Sequence, residues 1–162
     1  MIAVGIDPGT ATTGYGFVEE DSQGGLTSVA YGVIQTPAGL PLELRLTQLY
    51  DELNQLLLLH RPQIAAVEKL FFARNVTNAI AVGHARGVAL LALARAGLAV
   101  GEYTPMEVKQ AVVGYGGAEK NQVQQMVKAI LQLKELPKPD DAADALAVAI
   151  CHLSSYRLLG AR

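Results

Sequence analysis

Two short apolar runs that each end in a carboxylate constrain this chain more than any other feature. In the first, Ile2, Val4 and Ile6 alternate with small Ala3 and Gly5 before Asp7, and Pro8-Gly9 then reverses the chain. Such a run suits a central strand buried on both faces. In the second, Ile64-Ala-Ala-Val leads straight into Glu68. Between them Leu42, Leu46, Leu49, Leu53 and Leu56 recur at helical spacing, which predicts an amphipathic helix over 42–60 that Arg61-Pro62 ends. A strand, a crossover helix and a strand make a parallel connection. Asp7 and Glu68 are therefore expected at one edge of one sheet, where open α/β sheets bind ligands. Taken alone, Asp7 reads as the cap of a Pro-Gly turn. Paired with Glu68, it reads as a site residue.

The remaining segments complete an α/β domain. Gly14 to Glu19 and Leu26 to Thr36, joined by a Ser22-Gln-Gly-Gly turn, extend the first strand into a three-stranded antiparallel meander. Asn75 to Arg95 reads as a helix carrying Ala79, Gly83 and Gly87 at i, i+4 and i+8. Glycine costs helix stability, so that face implies close contact, either within the chain or with a second copy of it. A strand at Val100 to Tyr103, a short helix at Pro105 to Val113 and a helix at Glu119 to Leu131 follow. After Pro137 and Pro139, Asp140-Asp141-Ala-Ala-Asp144 opens a final helix with Leu146, Ile150 and Leu153 as its buried stripe. One domain over 1–162 is expected, with 156–162 as a flexible tail.

The single cysteine, Cys151, excludes an intrachain disulfide framework and a cysteine zinc cluster, and it fits a reducing, cytoplasmic setting. The apolar run from Val88 to Val100 is short for a membrane span and carries Arg95, so it reads as packed helix and no membrane association is expected. The formal net charge is only −2, yet its distribution is uneven. Residues 1–60 hold one basic residue against seven acids, whereas residues 61–139 hold ten against five. Local field matters more than net charge to a polyanion, so the second stretch is the candidate anion-facing surface.

Asp141 and Asp144, three residues apart, share a helix face, while Asp140 points elsewhere and reads as a cap. With Asp7 and Glu68 they form four acids able to converge on one edge. Like charges so gathered call for cations, and an all-oxygen donor set selects Mg²⁺ or Mn²⁺ over zinc. Two such ions, about 4 Å apart, suit phosphodiester hydrolysis.

Several blocks, spread over nearly the whole length, resemble the RuvC family of Holliday-junction resolvases within the ribonuclease H-like fold. They are Ile6-Asp-Pro-Gly-Thr-Ala-Thr-Thr-Gly-Tyr-Gly16, Val67-Glu-Lys-Leu-Phe-Phe-Ala-Arg-Asn75, Gly83-His-Ala-Arg-Gly87, Val108-Lys-Gln-Ala-Val-Val-Gly114, Ala118-Glu-Lys120 and Asp141-Ala-Ala-Asp-Ala-Leu-Ala147. The resemblance implies a five-stranded mixed sheet with helices on both faces. It also implies a homodimeric, Mg²⁺-dependent endonuclease that nicks opposed strands of a four-way DNA junction and leaves 5′-phosphate and 3′-hydroxyl ends. Asp7, Glu68, Asp141 and Asp144 would be its metal-binding acids, with two ions per site. Phe71 would stack on an unpaired base, Lys109 and Lys120 would meet phosphates, and Arg74 is a further phosphate candidate. The helix bearing Ala79, Gly83 and Gly87 would supply the dimer contact, and the RuvA and RuvB branch-migration proteins would be partners. Two features depart from the family pattern: Lys69 follows the acid where an uncharged residue is common, and some members carry His in place of Asp141. A rival reading takes Asp-Pro-Gly-Thr as the phosphate loop of a sugar-kinase-like phosphotransferase, which ordinarily needs a second, duplicated domain.

Overall fold

The computed structural model describes residues 1–69 and 76–160. Five strands, β1 (Ile2–Asp7), β2 (Thr12–Glu20), β3 (Leu26–Gln35), β4 (Ile64–Glu68) and β5 (Val100–Tyr103), form one mixed sheet in the order β3-β2-β1-β4-β5. The helices are α1 (Leu42–His60), α2 (Val76–Arg95), α3 (Pro105–Val113), α4 (Lys120–Ile130) and α5 (Asp140–Gly160). β1, β2 and β3 are the expected antiparallel meander, and β4 runs parallel to both β1 and β5.

Alternation along β1 divides two cores. Val4 and Ile6 face one side, with Phe17, Leu49, Leu53, Ala85, Ala89 and Leu93 from the packed elements around them. Ala3 faces the other, among Val108, Val123, Val127 and the buried residues of α5. Helices therefore cover both faces of the sheet, as expected.

The small residues of the meander have a specific cause. A Cβ on Gly5 would lie 2.1 Å from the Ala145 carbonyl oxygen, and one on Gly14 would lie 2.0 Å from that of Asp141. Glycine at these points lets α5 lie directly on β1 and β2, closer than any side chain would permit. The helix answers with alanines at 142, 143, 145, 147 and 149, all buried. The expected stripe of Leu146, Ile150 and Leu153 is thus too narrow a description: from Ala145 to Leu153 every residue is buried. The segment read as a tail from 156 is helical as far as Gly160, and Arg157 pairs with Glu20 and donates 2.8 Å to the Gly24 carbonyl.

By length and composition α2 is apolar enough to cross a membrane. Its Ala85, Ala89, Ala92 and Leu93 instead pack into the core with α1. Ala79 is also buried, whereas Gly87 is exposed, and a Cβ on Gly83 or Gly87 would meet nothing within 4 Å. Intrachain packing therefore does not account for those two glycines among the described residues.

Candidate active site

Parallel pairing of Ile6 with Val67 carries Asp7 and Glu68 out at the same sheet edge. Antiparallel pairing sets Gly14 opposite Asp7, and Gly14 in turn touches the first turn of α5. This is how a strand end and a helix start, far apart in sequence, meet. Carboxylate oxygens of Asp7, Asp141 and Asp144 all lie within 4.8 Å of one another. Glu68 stands beside this triplet. It shares one cavity with Asp7 and another, of about 200 Å³, with Asp144, Lys109 and Lys120.

The turn after Asp7 is tied down on several sides. Gly9 N–H donates to Thr13 Oγ1 at 3.2 Å, and that hydroxyl donates back to the Gly9 carbonyl at 2.6 Å. Thr10 Oγ1 donates to the Ala81 carbonyl on α2, and Thr36 Oγ1 donates to the Thr10 carbonyl, each at 2.6 Å. Arg45 Nε in turn donates to Thr36 Oγ1 at 2.9 Å. The threonines that the sequence reading passed over are thus what hold the Asp7 loop in place, and a site so supported keeps its geometry before any ligand arrives.

The electrostatics describe an acidic centre that resists its own charge. Burial, then the charges of Asp144, Glu68 and Asp141 and a hydrogen bond with Asp141, push Asp7 up to about 8. Burial and Asp144 raise Glu68, against the opposing pull of Lys120 and Lys109. Asp144 is raised by burial and by its acidic neighbours despite Lys120. For Lys120, burial works against the charge, but its contacts with Asp144 and Asp140 prevail and raise it. Lys120 Nζ donates to Asp144 Oδ2 at 3.1 Å and lies 3.4 Å from Asp140 Oδ2.

Local sequence explains how the lysines reach this edge. Thr104 and Glu107 form a capping box that starts α3 and presents Lys109 one turn later. Glu119 and Gln122 do the same for α4, so Lys120 opens that helix. Asp140 is no isolated cap: it accepts from Gln124 at 3.0 Å and shares Lys120 with Asp144. Two of the three histidines are placed elsewhere. His60 lies against Phe17 and His152 is buried against Tyr103. Phe71 and Arg74 lie outside the described residues.

An oxygen-only donor set, with one member pushed up to about 8 by burial and then by its acidic neighbours, is what a hard divalent cation would relieve. Comparison with known proteins then decides the family. The family model described as crossover junction endodeoxyribonuclease RuvC matches residues 3–152. The chain belongs to the RuvC family. A crossover junction endodeoxyribonuclease RuvC of Syntrophomonas wolfei subsp. wolfei is 58% identical over 158 residues, covering 98% of this chain and 91% of the relative. The Thermus thermophilus RuvC structure superposes with a TM-score of 0.90 at 39% identity, covering 99% of this chain and 97% of that one. T. thermophilus RuvC in complex with a Holliday junction substrate gives 0.89 at 36% identity, covering 98% and 96%. The sheet order and the two helical layers are thus those of the RuvC family's ribonuclease H-like fold.

Proposed function

We propose that this protein is a structure-selective endodeoxyribonuclease that resolves four-way DNA junctions by paired, symmetric nicks, hydrolysing phosphodiesters to 5′-phosphate and 3′-hydroxyl ends. The observation that carries the reading is the convergence of three carboxylates within 4.8 Å, flanked by Glu68 and by two lysines. A protein that only bound DNA would gain nothing by turning these acids toward phosphates. The junction-bound T. thermophilus relative, alike over nearly its whole length, supports the substrate.

Asp7, Glu68, Asp141 and Asp144 would hold divalent cations, two per site, with Mg²⁺ as the natural ion and Mn²⁺ able to replace it. When bound, such ions supply charge neutralisation at the phosphate and activation of the attacking water. The chain itself does the positioning. The pinned Asp7 loop fixes one ligand, and α5, seated on Gly14, fixes two more. Lys109 and Lys120 line the cavity beside Glu68, where they attract the DNA backbone and orient it. Phe71 and Arg74 retain the base-stacking and phosphate roles that the family resemblance implies. A synthetic junction incubated with Mg²⁺ tests the reading: nicking of the junction with sparing of linear duplex is expected, and stoichiometric binding without cleavage would refute it.

Symmetric nicking needs two active sites, and the exposed face of α2 supports a homodimer. Val76, Ile80 and Leu91 are 72%, 55% and 53% exposed, and with Gly83 and Gly87 they form one stripe at helical spacing. Apolar residues beside glycines suit a close helix contact between two copies. Sedimentation at micromolar concentration should give a dimer, and Gly87→Glu should give a folded monomer that cuts poorly. A wild-type monomer would contradict the interface. RuvA and RuvB remain proposed partners by family resemblance, and the site of action is the cytoplasm.

A further inference from the structure

Beyond the acids and the two lysines stands a cation that neither group explains. Arg86, on α2, is only 19% exposed at its side chain. Its Nη2 donates to Glu102 Oε2 on β5 at 2.5 Å, so the guanidinium is held by a charged partner. Its Nε is buried and has no hydrogen-bond partner among the described residues. Arg86 lines a cavity of about 280 Å³ together with Asp7, Glu68, Lys69, Val82 and Pro105. A buried donor without an acceptor is rare in a folded protein; Nε is itself shut off from solvent, so a ligand in the cavity that Arg86 lines would be met by the remaining donors of the guanidinium.

We infer that Arg86, held by Glu102, is a phosphate-binding positioning residue that grips a backbone phosphate of the DNA strand next to the one at the acids; this rests on the nuclease reading above. The acidic end of the cavity suits a phosphate only through cations. Its other walls carry Arg86 and Lys69, which need none. A strand whose scissile phosphate lies at Asp7 carries the neighbouring phosphate one nucleotide away, and this cavity sets two cations, Lys69 and Arg86, beside two of the acids, Asp7 and Glu68. Guanidinium suits the task because its donors lie in one plane: Glu102 engages one while others remain for phosphate oxygens. The cavity has room, since one water takes about 30 Å³. Lys69, which the sequence left without an explanation, gains one as the second positive wall of this subsite.

The experiment measures junction binding in chelator between about 50 and 200 mM salt, and junction cleavage with Mg²⁺, for wild type, Arg86→Gln, Arg86→Lys and Glu102→Gln, with thermal unfolding for each. Failure of the wild type to bind and cut the junction would overturn the nuclease reading itself. With the wild type active, Arg86→Gln is expected to weaken binding about tenfold and to lower the salt slope by about one phosphate contact. Arg86→Lys should keep the slope while raising KM several-fold. Glu102→Gln should keep the slope while lowering kcat, since the cation remains but is no longer aimed. A purely structural ion pair predicts something different: equal losses of stability in Arg86→Gln and Glu102→Gln with unchanged slope and KM, and that result overturns the inference. Should Arg86→Gln not fold, an unchanged KM in Arg86→Lys overturns it equally.

Discussion

Asp7→Asn is expected to abolish junction cleavage and, in the same protein without metal, to raise stability at alkaline pH. The first effect follows, on the proposed function, from removing the metal-binding carboxylate that the central strand β1 carries. A loss of roughly a thousandfold or more, about 4 kcal/mol of transition-state stabilisation, is the scale for such a group. The second follows from linkage. Burial and then the neighbouring acids raise Asp7 from 3.8 to about 8 in the folded chain, so the folded state holds its proton more tightly than the unfolded state does. The stability this contributes is fully present below the unfolded value near pH 4 and is lost as pH rises through about 8. Metal-free wild type should therefore melt progressively lower from pH 5 to pH 8.5, whereas asparagine, which cannot ionise, should flatten that slope. At about 2–4 °C per kcal/mol for a chain of this size, the divergence is measurable by thermal unfolding in chelator. Parallel melting curves across the range would show that burial and the neighbouring acids do not raise Asp7 as described.

The second large effect is structural in origin and catalytic in outcome. Gly14→Ala places a methyl group 2.0 Å from the Asp141 carbonyl oxygen, in contact with backbone that has no rotamer to change. The first turn of α5 must move. Overpacking of this kind costs about 1–3 kcal/mol, and a displacement of about 1 Å in a catalytic group costs on the order of a hundredfold in rate. We expect a drop in melting temperature of several degrees together with a fall in cleavage much larger than the population of unfolded protein explains. Cleavage near the wild-type rate would mean that Asp141 and Asp144 tolerate displacement, contrary to the close seating of α5 on the sheet.

Much of this architecture is legible in the chain because its signals are periodic and local. Alternation in Ile2 to Asp7, the leucine spacing of α1 and the paired strand-terminal acids suffice to set β1, α1 and β4 in parallel register. The family blocks add the fold and bring Asp141 and Asp144 into the same centre. What period does not carry is contact by size. The α5 helix is buried nearly all round because alanines meet glycines from two distant strands, so no single face stands out against a polar one. The same holds for the site's supports. Thr10, Thr13 and Thr36 are ordinary residues in sequence and become the fastening of the Asp7 loop only when β3 and α2 close around it. The partnership of Lys120 with both Asp140 and Asp144 likewise depends on two helix starts meeting, and that of Arg86 with Glu102 on α2 lying against β5.

Mapping cleavage on a synthetic four-way junction with Mg²⁺ tests the central claim most directly. The account predicts two nicks at opposed, symmetry-related positions, bearing 5′-phosphate and 3′-hydroxyl ends, appearing with added metal and absent in chelator and in Asp7→Asn. Equal cutting of linear duplex, or nicks that persist in chelator and in Asp7→Asn, would contradict it.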